Sequence, residues 1–195
     1  MGTEALVILI VTAACLVGVG IWFLIRALKT EYPDGTRFLR SWIKDGNSYD
    51  VNLILQEGSK AGNILELHTA CIEIVEAMVS THKALKASGL RVSGNVACKK
   101  GNFKEISIVL VPDKDMGKYA SILKMIDGIP TIFVADLYVE QIKKRGEPII
   151  HELCHVVLHD YVAGSDDHTD PTIWIESGGE QSLQHCVREQ VKIRF

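Results

Sequence analysis

The chain has 195 residues and a formal net charge of −3, with no basic footprint, no internal repeat and no low-complexity tract. That balance argues against nucleic acid as a partner. Five cysteines, Cys15, Cys71, Cys98, Cys154 and Cys186, are odd in number and show no paired spacing, which argues against a disulfide framework.

In chain order, the first element is an apolar run. Ala5 to Ile25 carries no charge over 21 residues and ends near Trp22. At ~1.5 Å rise per residue it matches the ~30 Å hydrocarbon layer. A cleaved signal peptide would open with basic residues and a shorter apolar stretch, but the chain opens Met1-Gly2-Thr3-Glu4; the same lack counts against lipidation of Cys15. A retained transmembrane helix is therefore expected. Arg26, Lys29, Arg37, Arg40 and Lys44 all follow it and no Lys or Arg precedes it, which places the main domain in the cytoplasm.

Residues 1–29 thus read as an anchor, 30–62 as a connector and 63–195 as a single α+β domain. Turn signals at Pro33-Asp34-Gly35 and Asp45-Gly46-Asn47 mark the connector, which contains one short candidate strand at Asp50–Gln56. Asn63 to Ala87 reads as a helix, with Asn63 as cap, Glu66 at the third helical position and Gly89 beyond its end. His68 and His82 on it have no partner at ligand spacing and read as ordinary surface or half-buried histidines. Glu105–Val111 and Thr131–Ala135 read as strands, and Val92–Lys99 as a further candidate. Asp136–Lys144 reads as a helix that stops at Arg145-Gly146-Glu147-Pro148, with Pro148 opening the next one.

That next helix carries the chemistry. It reads His151-Glu152-Leu153-Cys154-His155 within an apolar frame of Ile149, Ile150, Leu153, Val156 and Val157. On a helix the two histidines lie one turn apart on one face and can share a zinc ion. Glu152, about 100° round, can reach a water at that ion without competing as a ligand. Zn2+ is the expected cofactor and Glu152 the expected catalytic base. Cys154 reads as packing. His159 lies about 12 Å from His151 along the axis, too far to share the ion. The third ligand must come from beyond Gly164, which is expected to end the helix. His168 is preferred, with Asp166 or Asp167 next and Glu176 or Glu180 on a last helix remaining open.

These residues resemble the zincin metallopeptidases over the motif and the preceding helix–strand–strand–helix order. His168-Thr169-Asp170-Pro171 is similar to the segment after the third histidine of matrix-type metzincins, although Tyr161 stands where their spacing would put that histidine and Trp174 replaces their following Met. Gly164-Ser165-Asp166-Asp167 is similar to aspzincins, and Glu176 and Glu180 fall at a gluzincin-compatible distance. The resemblance implies a peptidase acting on a peptide or protein, with an edge strand that binds extended substrate. Thr131–Ala135 is the candidate for that strand, and Tyr161 or His185 for an oxyanion stabiliser. A membrane-tethered binding module with structural zinc is the competing class, weakened by Glu152, for which structural zinc has no use. An intramembrane protease is disfavoured by Lys143-Lys144-Arg145-Gly146-Glu147 just before the motif.

Overall fold

The computed structural model describes residues 37–44, 48–97, 103–161 and 168–194. They form an α+β domain. Five strands, β1 (Arg37–Lys44), β2 (Ser48–Leu55), β3 (Glu105–Val111), β4 (Ser121–Ile126) and β5 (Ile129–Ala135), stand in the order β1-β2-β3-β5-β4. β2, β3 and β5 run parallel in the middle, and β1 and β4 pair antiparallel on the two outer edges.

The long helix α1 (Ile64–Ala87) crosses from β2 to β3 on one face of the sheet. Asn63 caps it by accepting from the Glu66 N–H at 3.3 Å. Its buried stripe, Leu67, Cys71, Ile74, Val75 and Met78, meets Val51 and Leu53 of β2 and Ile106, Ile108 and Leu110 of β3 in the main core. Both faces of β3 are covered: Val109 and Val111 join Ile54, Met116 and Ala135 in a smaller cluster on the other side. A central parallel strand is expected to read as such an unbroken apolar run. Behind and beside α1 pack α3 (Val139–Arg145), α4 (Ile149–Leu158) and α6 (Leu183–Arg194); α2 (Asp113–Met116) and α5 (Ile175–Gly178) are single turns.

The stretch read as a connector supplies β1 and also β2, the latter over the expected strand Asp50–Gln56, and Val51 and Leu53 are fully buried in the core. Three expectations change here. Val92–Ala97 is irregular rather than a strand. Thr131–Ala135 lies inside the sheet, between β3 and β4, so it is not the edge; the edge on that side is β4. The motif helix stops at Leu158, well before Gly164. The apolar run 5–25 lies outside the described residues, among which no helix is long and apolar enough to cross a membrane.

Candidate metal centre

α4 begins immediately after α3, and the join depends on Gly146. Its φ of +73° gives α3 a left-handed end, and a Cβ there would stand 2.7 Å from Ile150 Cδ1. Arg188 of α6 pairs with Glu147, just before Pro148, and ties the helix entry to the last helix. Burial pushes the Glu147 carboxyl upward, with Arg188 opposing. Ile149, Ile150, Leu153, Cys154, Val156 and Val157 are then all buried, which fixes the rotation of α4 about its axis. His151, Glu152 and His155 are left on the side facing β4 and the segment that begins at His168.

The structure brings three of the expected ligands together. The ligand atoms of His151, His155 and His168 all lie within 4.8 Å of one another. Their ring centroids are 4.8 to 5.5 Å apart. Across a tetrahedral zinc the nitrogens would stand ~3.3 Å apart, from Zn–N bonds of ~2.05 Å, so small ring rotations separate this arrangement from a closed site. His168 Nε2 is buried and has no hydrogen-bond partner. An orphaned imidazole nitrogen aligned with two others is what a metal ligand looks like before the ion is considered. Burial, helped by the adjacent His155 and His168, holds His151 down to about 4, so it stays neutral and able to donate a lone pair far below neutral pH.

The end of α4 orients the second ligand. His159 takes a left-handed conformation, φ +58°, and the Asp160 N–H then bonds back to the His155 carbonyl at 3.0 Å. This turn puts Asp160 Oδ2 3.3 Å from His155 Nδ1. A carboxylate only accepts, so Nδ1 carries the proton and Nε2 is the nitrogen with the lone pair that a metal would take. His159 itself is exposed and outside the cluster.

Glu152 is buried against the edge strand. Ser121 Oγ donates to its Oε1 at 2.5 Å, and the Leu123 N–H also bonds to the carboxylate. Desolvation raises its pKa, while these two donors oppose the rise. The strand register explains the second donor. Ala135 N–H bonds to Ala120 C=O and Ile122 pairs with Phe133, so Ile122, Lys124 and Ile126 face β5. The N–H and C=O groups of Ser121, Leu123 and Met125 therefore point away from the sheet, and Leu123 N–H points at Glu152.

Trp174 forms the floor of the cluster. Its fully buried indole lies 4.1 Å from the His168 ring, 4.7 Å from His155 and 5.1 Å from His151, centroid to centroid. Among the other candidates, Glu176 and Glu180 are exposed and do not join the cluster, and Asp166 and Asp167 lie outside the described residues. Tyr161 is half-buried, edge-on to His159, and His185 opens α6. Cys154 is buried in the core.

Sequence reading missed Ser121, Asp160 and the role of Trp174. Asp127-Gly128, both with positive φ and flanked by the pair Ile126↔Ile129, is the two-residue hairpin signal that would have found β4 and with it Ser121. No local pattern announces Asp160 or Trp174, because each matters through a partner in space.

No protein-family model, no curated protein and no solved structure matches this chain. What can be inferred about its chemistry therefore rests on its own residues.

Proposed function

We propose that this protein is a zinc-dependent peptidase of the zincin type, with His151, His155 and His168 as metal ligands and Glu152 as general base. The observation that carries the reading is the convergence of three imidazoles, one of them arriving from a separate segment, beside a buried carboxylate at a sheet edge. Structural zinc needs no base. Two further features support the assignment of fold type: an outer antiparallel strand next to the motif helix, and an aromatic floor under the ligands.

When bound, zinc supplies Lewis acidity that polarises a carbonyl and acidifies water. Three neutral histidines leave that charge undiminished, whereas a carboxylate ligand would lower it. The chain's own residues do the rest. Asp160 fixes the tautomer of His155. Ser121 Oγ and Leu123 N–H hold the Glu152 carboxylate against the edge strand; in this reading it accepts a proton from water and passes it to the leaving amine. The outward C=O of Ser121 and Leu123 and both groups of Met125 give an extended peptide a ladder to pair with. The apolar run 5–25 is the proposed membrane tether, with the catalytic domain on the cytoplasmic side.

The test uses the full chain in detergent. It should bind one zinc per chain, and Glu152→Gln should keep that zinc and the fold while losing hydrolysis of a peptide library by at least about 100-fold. Equal cleavage by parent and variant would remove Glu152 from its role. Full zinc occupancy with no cleavage by the parent would favour the tethered binding module instead.

A further inference from the structure

Gln184 lies on α6, outside the motif and with no side chain in the cluster, yet it is fully buried. Its backbone N–H donates to the Ile173 carbonyl at 3.0 Å, and its side-chain Oε1 accepts from the Ile175 N–H at 3.0 Å. The two bonds land on the residues immediately before and after Trp174. One residue of the last helix thus grips the chain on both sides of the indole on which the three imidazoles rest. Because a backbone N–H can only donate, the atom facing Ile175 must be the carbonyl oxygen, so the amide's orientation is settled. The opposite end of that amide, Nε2, is buried and unpartnered. A buried donor without a partner is costly, and a leucine would avoid it. What glutamine supplies in return is the acceptor for Ile175.

The rest of the turn is rigid, which makes this grip decisive. Ile173 and Trp174 N–H both bond to the Asp170 carbonyl, and the Asp170 carboxylate accepts from Thr172 N–H and Oγ. Leu183 N–H bonds to the Thr172 carbonyl, and a Cβ at Gly178 would stand 1.7 Å from the Pro171 carbonyl oxygen. Trp174 therefore rides on a bonded turn whose position is referred to α6, and the His168 ring, two residues before Asp170, rests against its indole.

We propose that Gln184 is a positioning residue for the metal centre: by clasping the backbone on both sides of Trp174 it sets the height of the floor under His151, His155 and His168. This rests on the metal reading above and names no group that touches the ion.

The experiment titrates the full chain in detergent with Co2+ and follows the ligand-field absorption, with circular dichroism as the check on folding. Gln184→Met keeps length and loses the acceptor; Gln184→Glu keeps an oxygen acceptor. The methionine variant should fold, bind Co2+ on the order of 10- to 100-fold more weakly, and show an altered absorption envelope, while the glutamate variant stays within about threefold of the parent. A methionine variant with parental affinity and spectrum overturns the clasp, as does a glutamate variant as weak as the methionine one. If Gln184→Met does not fold, Gly178→Ala, which drives a methyl into the far side of the same turn, carries the comparison. It should weaken Co2+ by a similar factor, and unchanged binding overturns the proposal. A parent that takes up no Co2+, or a His151→Ala variant that takes it up as well as the parent, overturns the metal reading and the clasp together. A parent that binds only through His151 separates the two.

Discussion

Two helices of this domain each carry a pair of histidines, and the pairs behave in opposite ways. On α1, His68 and His82 are buried and each is satisfied by a backbone carbonyl from another segment, Val51 at 3.1 Å and Ser93 at 3.1 Å. On α4, His151 and His155 face each other, a third imidazole and an indole. Burial depresses His68 and His82 as it does His151, so the direction of that shift does not tell a ligand candidate from a core histidine. Company does. A histidine that donates to a carbonyl is closing a gap in the core, whereas a cluster of imidazoles with a nitrogen left over is arranged for something that accepts lone pairs.

The largest expected effect is at the third ligand. His168→Ala should weaken zinc by at least about 100-fold, measured by competition with a chelating dye, while His82→Gln, Glu176→Ala and Glu180→Ala stay within about twofold. Asp160→Asn should fall between, at ten- to a hundredfold, because the amide no longer fixes the tautomer of His155. If Glu176→Ala matched His168→Ala, the comparison between the helices would lose its meaning.

Acid should expose what the two pairs share. His68, His82 and His151 all titrate below the usual imidazole value of 6.5, His151 at about 4, because burial penalises the charged ring. The unfolded chain takes up these protons as pH falls through ~6.5 while the metal-free fold resists them. Stability is thus full above ~6.5 and declines progressively toward pH 4. Melting temperatures of the metal-free protein should drop between about pH 7.5 and 5, and His82→Gln, which still offers Ser93 a donor, should flatten the decline. A melting temperature independent of pH over that range would refute the account.

The smallest effect belongs to His159. It is the next histidine after the motif, and it ends the helix in a conformation that Asn also tolerates. His159→Asn should leave zinc affinity within about twofold and move the melting temperature by no more than ~2 °C. A large loss of metal would make it a ligand after all.

These differences also show which parts of the molecule were legible in the sequence. α1, β3 and the start of α4 were read closely, because each buries a continuous stripe or run that leaves a clear period. Of the first two strands, only the alternation at Asp50–Gln56, which is β2, shows in the sequence; β1 is hidden by the turn residues on either side of it. β4 was overlooked because an edge strand with Lys124, Met125 and Ile126 exposed shows little pattern. The motif pointed to His151, Glu152 and His155, and the structure sets His168 beside the two histidines while Glu176 and Glu180 stay outside the cluster. The supports, Ser121, Asp160, Trp174 and Gln184, were invisible, since their roles come from register, from one left-handed residue and from a clasp between helices.

The order in which the site is assembled follows from where its parts lie along the chain. Every residue assigned to the metal centre falls between Ser121 and Arg188, whereas the parallel pairing of β2 with β3 joins residues 55 apart, Asp50 with Glu105 for example, across the whole of α1. Distant pairings close slowly, and the ring of ligands needs only contacts made within the later part of the sequence once the sheet exists to hold them. Ion capture should then be a late event that waits on α6, the last helix, to seat the turn beneath the imidazoles. Zinc added during refolding would slow unfolding far more than it speeds folding, and the protein would keep its metal by being reluctant to open rather than by being quick to close.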